Sequence, residues 1–171
     1  MRVIPPVPIT SQGSFTRSTT GTCFNSIGLI STVGVNLPRF NYDPVNLTLA
    51  PTLLIESATT NLCTYSEAFD NAAWTKNLIT ITANNTTAPD GTLTADKVIS
   101  TTGTGYHQVY QTIGTSILSG VSYTFSVYVK PAGYNYIYVQ LVGTPYPGNP
   151  YVEFNLSNGT VTYNSNITSY T

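Results

Sequence analysis

Apolar and polar side chains alternate most regularly over residues 121–130. Val121, Tyr123, Phe125, Val127 and Val129 form one row; Ser122, Thr124, Ser126, Tyr128 and Lys130 form the other. A period of two is that of a β-strand with one buried face. Pro131-Ala132-Gly133 then turns the chain, and residues 135–142 alternate again, with Ile137, Val139 and Leu141 inward and Tyr136, Tyr138 and Gln140 outward. A hairpin of these two strands places Tyr128, Tyr136, Tyr138 and Gln140 on one outward face. Further strands are predicted at 79–82, 95–100, 106–113, 151–156 and 160–163. Two turns have a clear mechanism. In Pro89-Asp90-Gly91-Thr92 the proline presets φ, the Asp caps, and the Gly takes a left-handed conformation. Asn158-Gly159 is a hairpin dipeptide. Nearer the start, strands at 22–24 and 29–30 flank Asn25-Ser26-Ile27-Gly28, and Pro38, Pro44 and Pro51 cut the chain into short pieces. A short helical turn is expected around Glu67-Ala68-Phe69, and Trp74 is expected to bury its indole against the following sheet.

These elements predict an all-β protein: an antiparallel β-sandwich or jelly roll, preceded by a loop-rich β N-terminal region and an extended arm. Residues 1–14 form the arm, 15–62 the β/loop attachment region and 63–171 the jelly roll. In the arm, Val3-Ile4-Pro5-Pro6-Val7-Pro8 favours polyproline-like backbone and offers few donors of its own. It gains order by docking on a partner or stays disordered. It lacks the continuous apolar stretch of a secretory signal, so assembly in a cytosol is expected. Ser169-Tyr170-Thr171 reads as the start of another strand. The jelly roll is therefore expected to be completed by further chain or by a partner.

Composition narrows the function. Ser, Thr and Asn make up roughly a third of the 171 residues, above their usual share. Only 8% are charged, and the net charge is −1. Six basic residues cannot grip a phosphate backbone, so no nucleic-acid partner is expected. No apolar run reaches the ~18 residues of a membrane span. One His, two Cys and seven acidic residues supply little for catalysis, and no enzyme activity or cofactor is expected. Cys23 and Cys63 lack metal-ligand spacing, and a reducing compartment leaves them as thiols.

Each remaining candidate has a plain reading beside its chemical one. Arg17, Arg39, Asp43 and Glu56 suit ion pairs that pin a loop-rich region. His107 lies in a strand pattern, with no nucleophile elbow in the chain. Asp90 and Asp96 fit a turn cap and a surface charge, with a calcium site on their oxygens as the weaker alternative. Tyr128, Tyr136, Tyr138 and Gln140 offer flat rings and an amide. Such a face stacks on sugars or is covered by a neighbouring subunit.

Several stretches, in this order and spacing, are similar to one family. They are Pro38-Arg39-Phe40-Asn41-Tyr42-Asp43-Pro44, Leu53-Leu54-Ile55-Glu56 through Thr60-Asn61-Leu62, and Tyr65-Ser66-Glu67 with Asn71-Ala72-Ala73-Trp74-Thr75-Lys76. They continue with Pro89-Asp90-Gly91-Thr92 through Ala95-Asp96-Lys97, then residues 123–130, then Phe154-Asn155-Leu156-Ser157-Asn158-Gly159-Thr160-Val161. From about residue 15 onward the chain resembles the head-spike and tail-fibre proteins of tailed bacteriophages, which carry a carbohydrate-binding-module-like jelly roll. That family usually has Arg where this chain has Thr59 and often Asp where it has Asn41, so no charged site is carried over. The resemblance implies a structural virion protein for host-surface adhesion, built in the host cytoplasm. It implies a homo-oligomer, commonly a trimer, anchored through its N-terminal region to capsid, portal or tail proteins and facing a host surface glycan. A lectin-like receptor-binding module, or the N-terminal part of a glycan depolymerase with its active site beyond residue 171, are the alternatives.

Overall fold

The computed structural model of the chain describes residues 14–114, 117–146 and 148–167. The arm, with Val3, Ile4, Pro5, Pro6, Val7 and Pro8, lies outside the described residues. Eleven strands and no helix occur among the described residues. Two compact units are present. The first holds the described residues up to Asn61 together with Thr82–Asp96; the second holds Leu62–Ile81 and the described residues from Lys97 onward.

In the first unit, β1 (Gly21–Phe24) and β2 (Ile30–Val33) pair antiparallel from Gly21↔Val33 to Phe24↔Ile30. Asn25 makes the turn between them. Its Oδ1 accepts the amides of Ile27 and Leu29, and Gly28 supplies a φ of 79°. β3 (Phe40–Asn41) pairs with β4 (Thr52–Leu53). β3 is tied to β1 because Asn41 Oδ1 accepts the Phe24 amide and Phe24 O accepts the Tyr42 amide. The expected ion pair forms at 2.8 Å between Arg39 and Glu56. Arg17 instead donates to the carbonyls of Thr19, Val33 and Gly34, while Asp43 caps the amides of Val45 and Asn46.

β6 (Ile79–Thr86) pairs with β7 (Ala95–Ser100). At the turn joining them, Asp90 Oδ1 accepts both the amide and the hydroxyl of Thr92, and Gly91 has a φ of 86°.

In the second unit, β5 (Thr75–Asn77) pairs antiparallel with β8 (Gln108–Tyr110). The strand expected over 106–113 is thus shorter. Leu78 turns the chain from β5 to β6 with a φ of 52°, a conformation that costs a non-glycine residue roughly 1–2 kcal/mol. Its carbonyl accepts three hydrogen bonds, from the amide and hydroxyl of Thr101 and from His107 Nδ1. Residues 65–68 form a turn closed by the Ala68 amide on Tyr65 O, and no helix extends from it. Trp74 is buried, its ring 4.8 Å from Phe69 and its indole N–H on Tyr65 O.

The largest sheet of the unit has the order β11-β10-β9. It is built from β9 (Tyr136–Gln140), β10 (Tyr151–Asn155) and β11 (Thr160–Ser165). One face carries buried Val152 with half-buried Ile137, Val139, Phe154 and Val161. The strand expected at 121–130 is absent: these residues join no ladder, and both of its rows are exposed. Alternation sets which side chains share a face, but a strand also needs a neighbouring edge, and among the described residues no ladder forms with this segment.

Candidate tyrosine platform

The second face of the β11-β10-β9 sheet gathers the candidate site. Alternation along β9 puts Tyr136, Tyr138 and Gln140 on it. β10 runs antiparallel with Gln140↔Tyr151, Tyr138↔Glu153 and Tyr136↔Asn155, so Tyr151 and Glu153 join the same face. Diagonal neighbours across a ladder are within reach of aromatic rings. Tyr138 and Tyr151 stack at 4.5 Å, and Tyr151 and Tyr163 at 5.4 Å with their planes 16° apart. Three rings therefore form a continuous strip across three strands.

A bulge completes the strip. Phe154 pairs with Val161 but Glu153 pairs with Tyr163, which leaves Thr162 as an extra residue. Strict alternation from Val161 would turn Tyr163 towards Val152. The additional residue moves it to the tyrosine face instead. The Thr162 hydroxyl donates to the Glu153 carboxylate and so holds the bulge in place.

The central ring is electrostatically distinct. Burial pushes the Tyr151 hydroxyl up to about 12, with help from the hydrogen bond and charge of Tyr163 and then the charge of Tyr138. It therefore stays neutral through the physiological range, as a stacking surface requires. Tyr138 and Tyr163 keep 50% and 55% of their surface exposed, so the strip is accessible to a flat ligand. Glu153 supplies an acceptor beside it. The Gln140 amide nitrogen donates to Asn149 O, which orients that side chain towards its own loop.

Of the four residues expected on one face, the structure brings together Tyr136, Tyr138 and Gln140. Tyr128 lies in the 121–130 segment, outside the sheet. Tyr151, Glu153 and Tyr163 were not anticipated. The alternation of 151–156 signals the first two, but Tyr163 depends on the bulge, which has no plain sequence signature.

The other candidates are occupied structurally. Asp90 caps Thr92, and those hydrogen bonds hold its carboxyl below the usual range. Asp96 Oδ1 accepts the Asn84 amide. No group of three or more His, Cys, Asp or Glu side chains is arranged to hold a metal among the described residues. His107 Nδ1 lies 2.7 Å from Leu78 O, and a carbonyl can only accept, so Nδ1 carries the proton. Neither Cys23 nor Cys63 forms a disulfide among the described residues. No helix among the described residues is long and apolar enough to cross a membrane. No protein-family model, curated protein or solved structure matches the chain.

Proposed function

We propose that this protein is a structural component of a tailed-bacteriophage virion, a head spike or tail fibre that adheres to the host surface. Its N-terminal arm and attachment region bind a capsid, portal or tail protein. Its antiparallel strands belong to a carbohydrate-binding-module-like jelly roll, displayed in several copies, with three as the expected number. The protein works by binding, without catalysis, and is assembled in the host cytoplasm.

The observation that carries this reading is the Tyr138–Tyr151–Tyr163 strip. Stacked, neutral, half-exposed rings with a carboxylate alongside suit the apolar face and the hydroxyls of a sugar. Each ring contributes about 1 kcal/mol, so single-site affinity is weak. Several copies on one particle raise it through avidity. The low charge of the chain is compatible with a neutral glycan partner and offers little to an anionic one.

The test is competition. Purified protein added to host cells is expected to block adsorption of the parent phage. Tyr138→Ala is expected to lose about fivefold in blocking per site, from about 1 kcal/mol of lost stacking, with the fold retained. Failure of the folded wild-type protein to compete would overturn the adhesion reading.

A further inference from the structure

Asn158-Gly159 is the only Asn-Gly pair in the chain, and it forms the turn between β10 and β11. Both residues are exposed, and a Cβ added at Gly159 would meet nothing within 4 Å. Asn158 Oδ1 accepts two hydrogen bonds from Thr160, from its amide at 3.1 Å and from its hydroxyl at 2.7 Å. The first closes a small ring that contains both the Asn158 side-chain carbonyl carbon and the Gly159 nitrogen. The two donors also polarise that carbonyl, and they stand where negative charge collects on Oδ1 when the carbon is attacked.

Two other turns of the chain serve as comparisons. Asn46 has the same cap and is also exposed, its Oδ1 accepting the amide and hydroxyl of Thr48 at 3.3 Å and 2.6 Å. The neighbouring nitrogen there belongs to Leu47, whose branched side chain crowds it, whereas glycine has no side chain. Asp90-Gly91-Thr92 repeats the Asn158-Gly159-Thr160 turn with a carboxylate in place of the amide. Asp90 Oδ1 accepts the Thr92 amide at 2.9 Å and its hydroxyl at 2.7 Å. The same turn therefore holds an aspartate without rearrangement.

We propose that Asn158 is a site of spontaneous modification, converting to aspartate and isoaspartate in the folded protein. The Gly159 nitrogen bonds to Asn158 Cγ. The side-chain amide leaves as ammonia, taking the Gly159 proton, and a cyclic succinimide remains. Water then opens the ring, at Cγ to give aspartate or at the main-chain carbonyl to give isoaspartate. The Gly159 N–H donates to Asn155 O at 2.9 Å, and this bond is the brake, because attack waits for it to open. It lies at an exposed hairpin end, where local opening costs least. Aspartate keeps the Thr160 cap, as Asp90 keeps Thr92, and takes the formal charge from −1 to −2. Isoaspartate adds a carbon to the main chain and displaces the cap, so the hairpin that seats Tyr163 opposite Glu153 loses its stable turn. The site stands whether or not the tyrosine strip binds sugar.

Ageing the full folded chain in mildly alkaline buffer tests the proposal. Chymotryptic mass mapping follows Asn158 in the peptide Ser157–Tyr163, which has no other asparagine. Labelling by an isoaspartate methyltransferase counts the isoaspartate share. Asn158 is expected to gain the mass of an acid for an amide while Asn46 stays intact. Thr160→Val keeps the amide donor and loses the hydroxyl, and is expected to slow the conversion about fivefold. Asn158→Asp is expected to melt with the wild type, and aged chains rich in isoaspartate to melt lower. Folded chains that keep Asn158 intact, while chains unfolded in guanidinium convert it, would overturn the proposal. Equal rates at Asn46 and Asn158 would overturn it as well.

Discussion

Tyr151 owes its chemistry to its two neighbours. Burial raises its hydroxyl first, and Tyr163 adds a hydrogen bond and a charge. In a tyrosinate absorbance titration, one group is expected to ionise near 12. Tyr163→Phe removes the hydrogen bond and the charge, so that late step should move towards 10. Because the folded value lies above the ordinary 10.0, the stabilisation is fully present below pH 10 and is lost as pH rises through about 12. Asp90 works in the opposite sense. Its value is lowered from 3.8 by the Thr92 hydrogen bonds, so its stabilisation is present above that pH and is lost as pH falls through the lower folded value. Asp90→Ala should lower the melting temperature at neutral pH, and the gap from wild type should close in acid. The Asp90 cap could be read from four adjacent residues because donor and acceptor are neighbours in sequence. The tyrosine strip could not be read in full. Tyr138 and Tyr151 follow from alternation, whereas Tyr163 joins them only through a residue count across a hairpin.

Hairpins with local turn chemistry are the elements that sequence reveals best. Asn25 to Gly28 makes the β1–β2 turn, and Asn158-Gly159 makes the β10–β11 turn with Gly159 at a φ of 69°. At Gly28 an added Cβ would meet its nearest atom at 3.5 Å, an ordinary contact. Gly28→Ala should therefore cost only the backbone penalty of positive φ, about 1–2 kcal/mol, measurable by urea denaturation. The bulge makes a sharper prediction. Deleting Thr162 removes the bulge but leaves Tyr163 next to Val161 and opposite Glu153, still on the tyrosine face. The late tyrosine ionisation and the competition for adsorption should therefore survive the deletion, and loss of both would show that the bulge itself is needed. Residues 121–130 show the limit of periodicity. A period of two records that a segment can be a strand, but the partner edge is a long-range property, and here it is not supplied by the described residues of the same chain.

At the scale of the molecule, buried apolar side chains are few among the described residues. Cys23, Trp74, Ile79 and Val152 are buried, while many large apolar residues stay exposed. The all-β class was legible from Thr-rich alternation and turn residues. The division into units was less so, because the end of the β6–β7 ribbon, Thr82–Asp96, groups with the N-terminal residues rather than with its sequence neighbours. The placement of Trp74 has an optical consequence. It is the one tryptophan of the chain, and it sits in the second unit, packed on Phe69. Its fluorescence therefore reports the opening of that unit and is silent to the melting of β1–β4. The difference between the emission midpoint and the far-ultraviolet circular-dichroism midpoint measures, without any label, how independently the two units unfold.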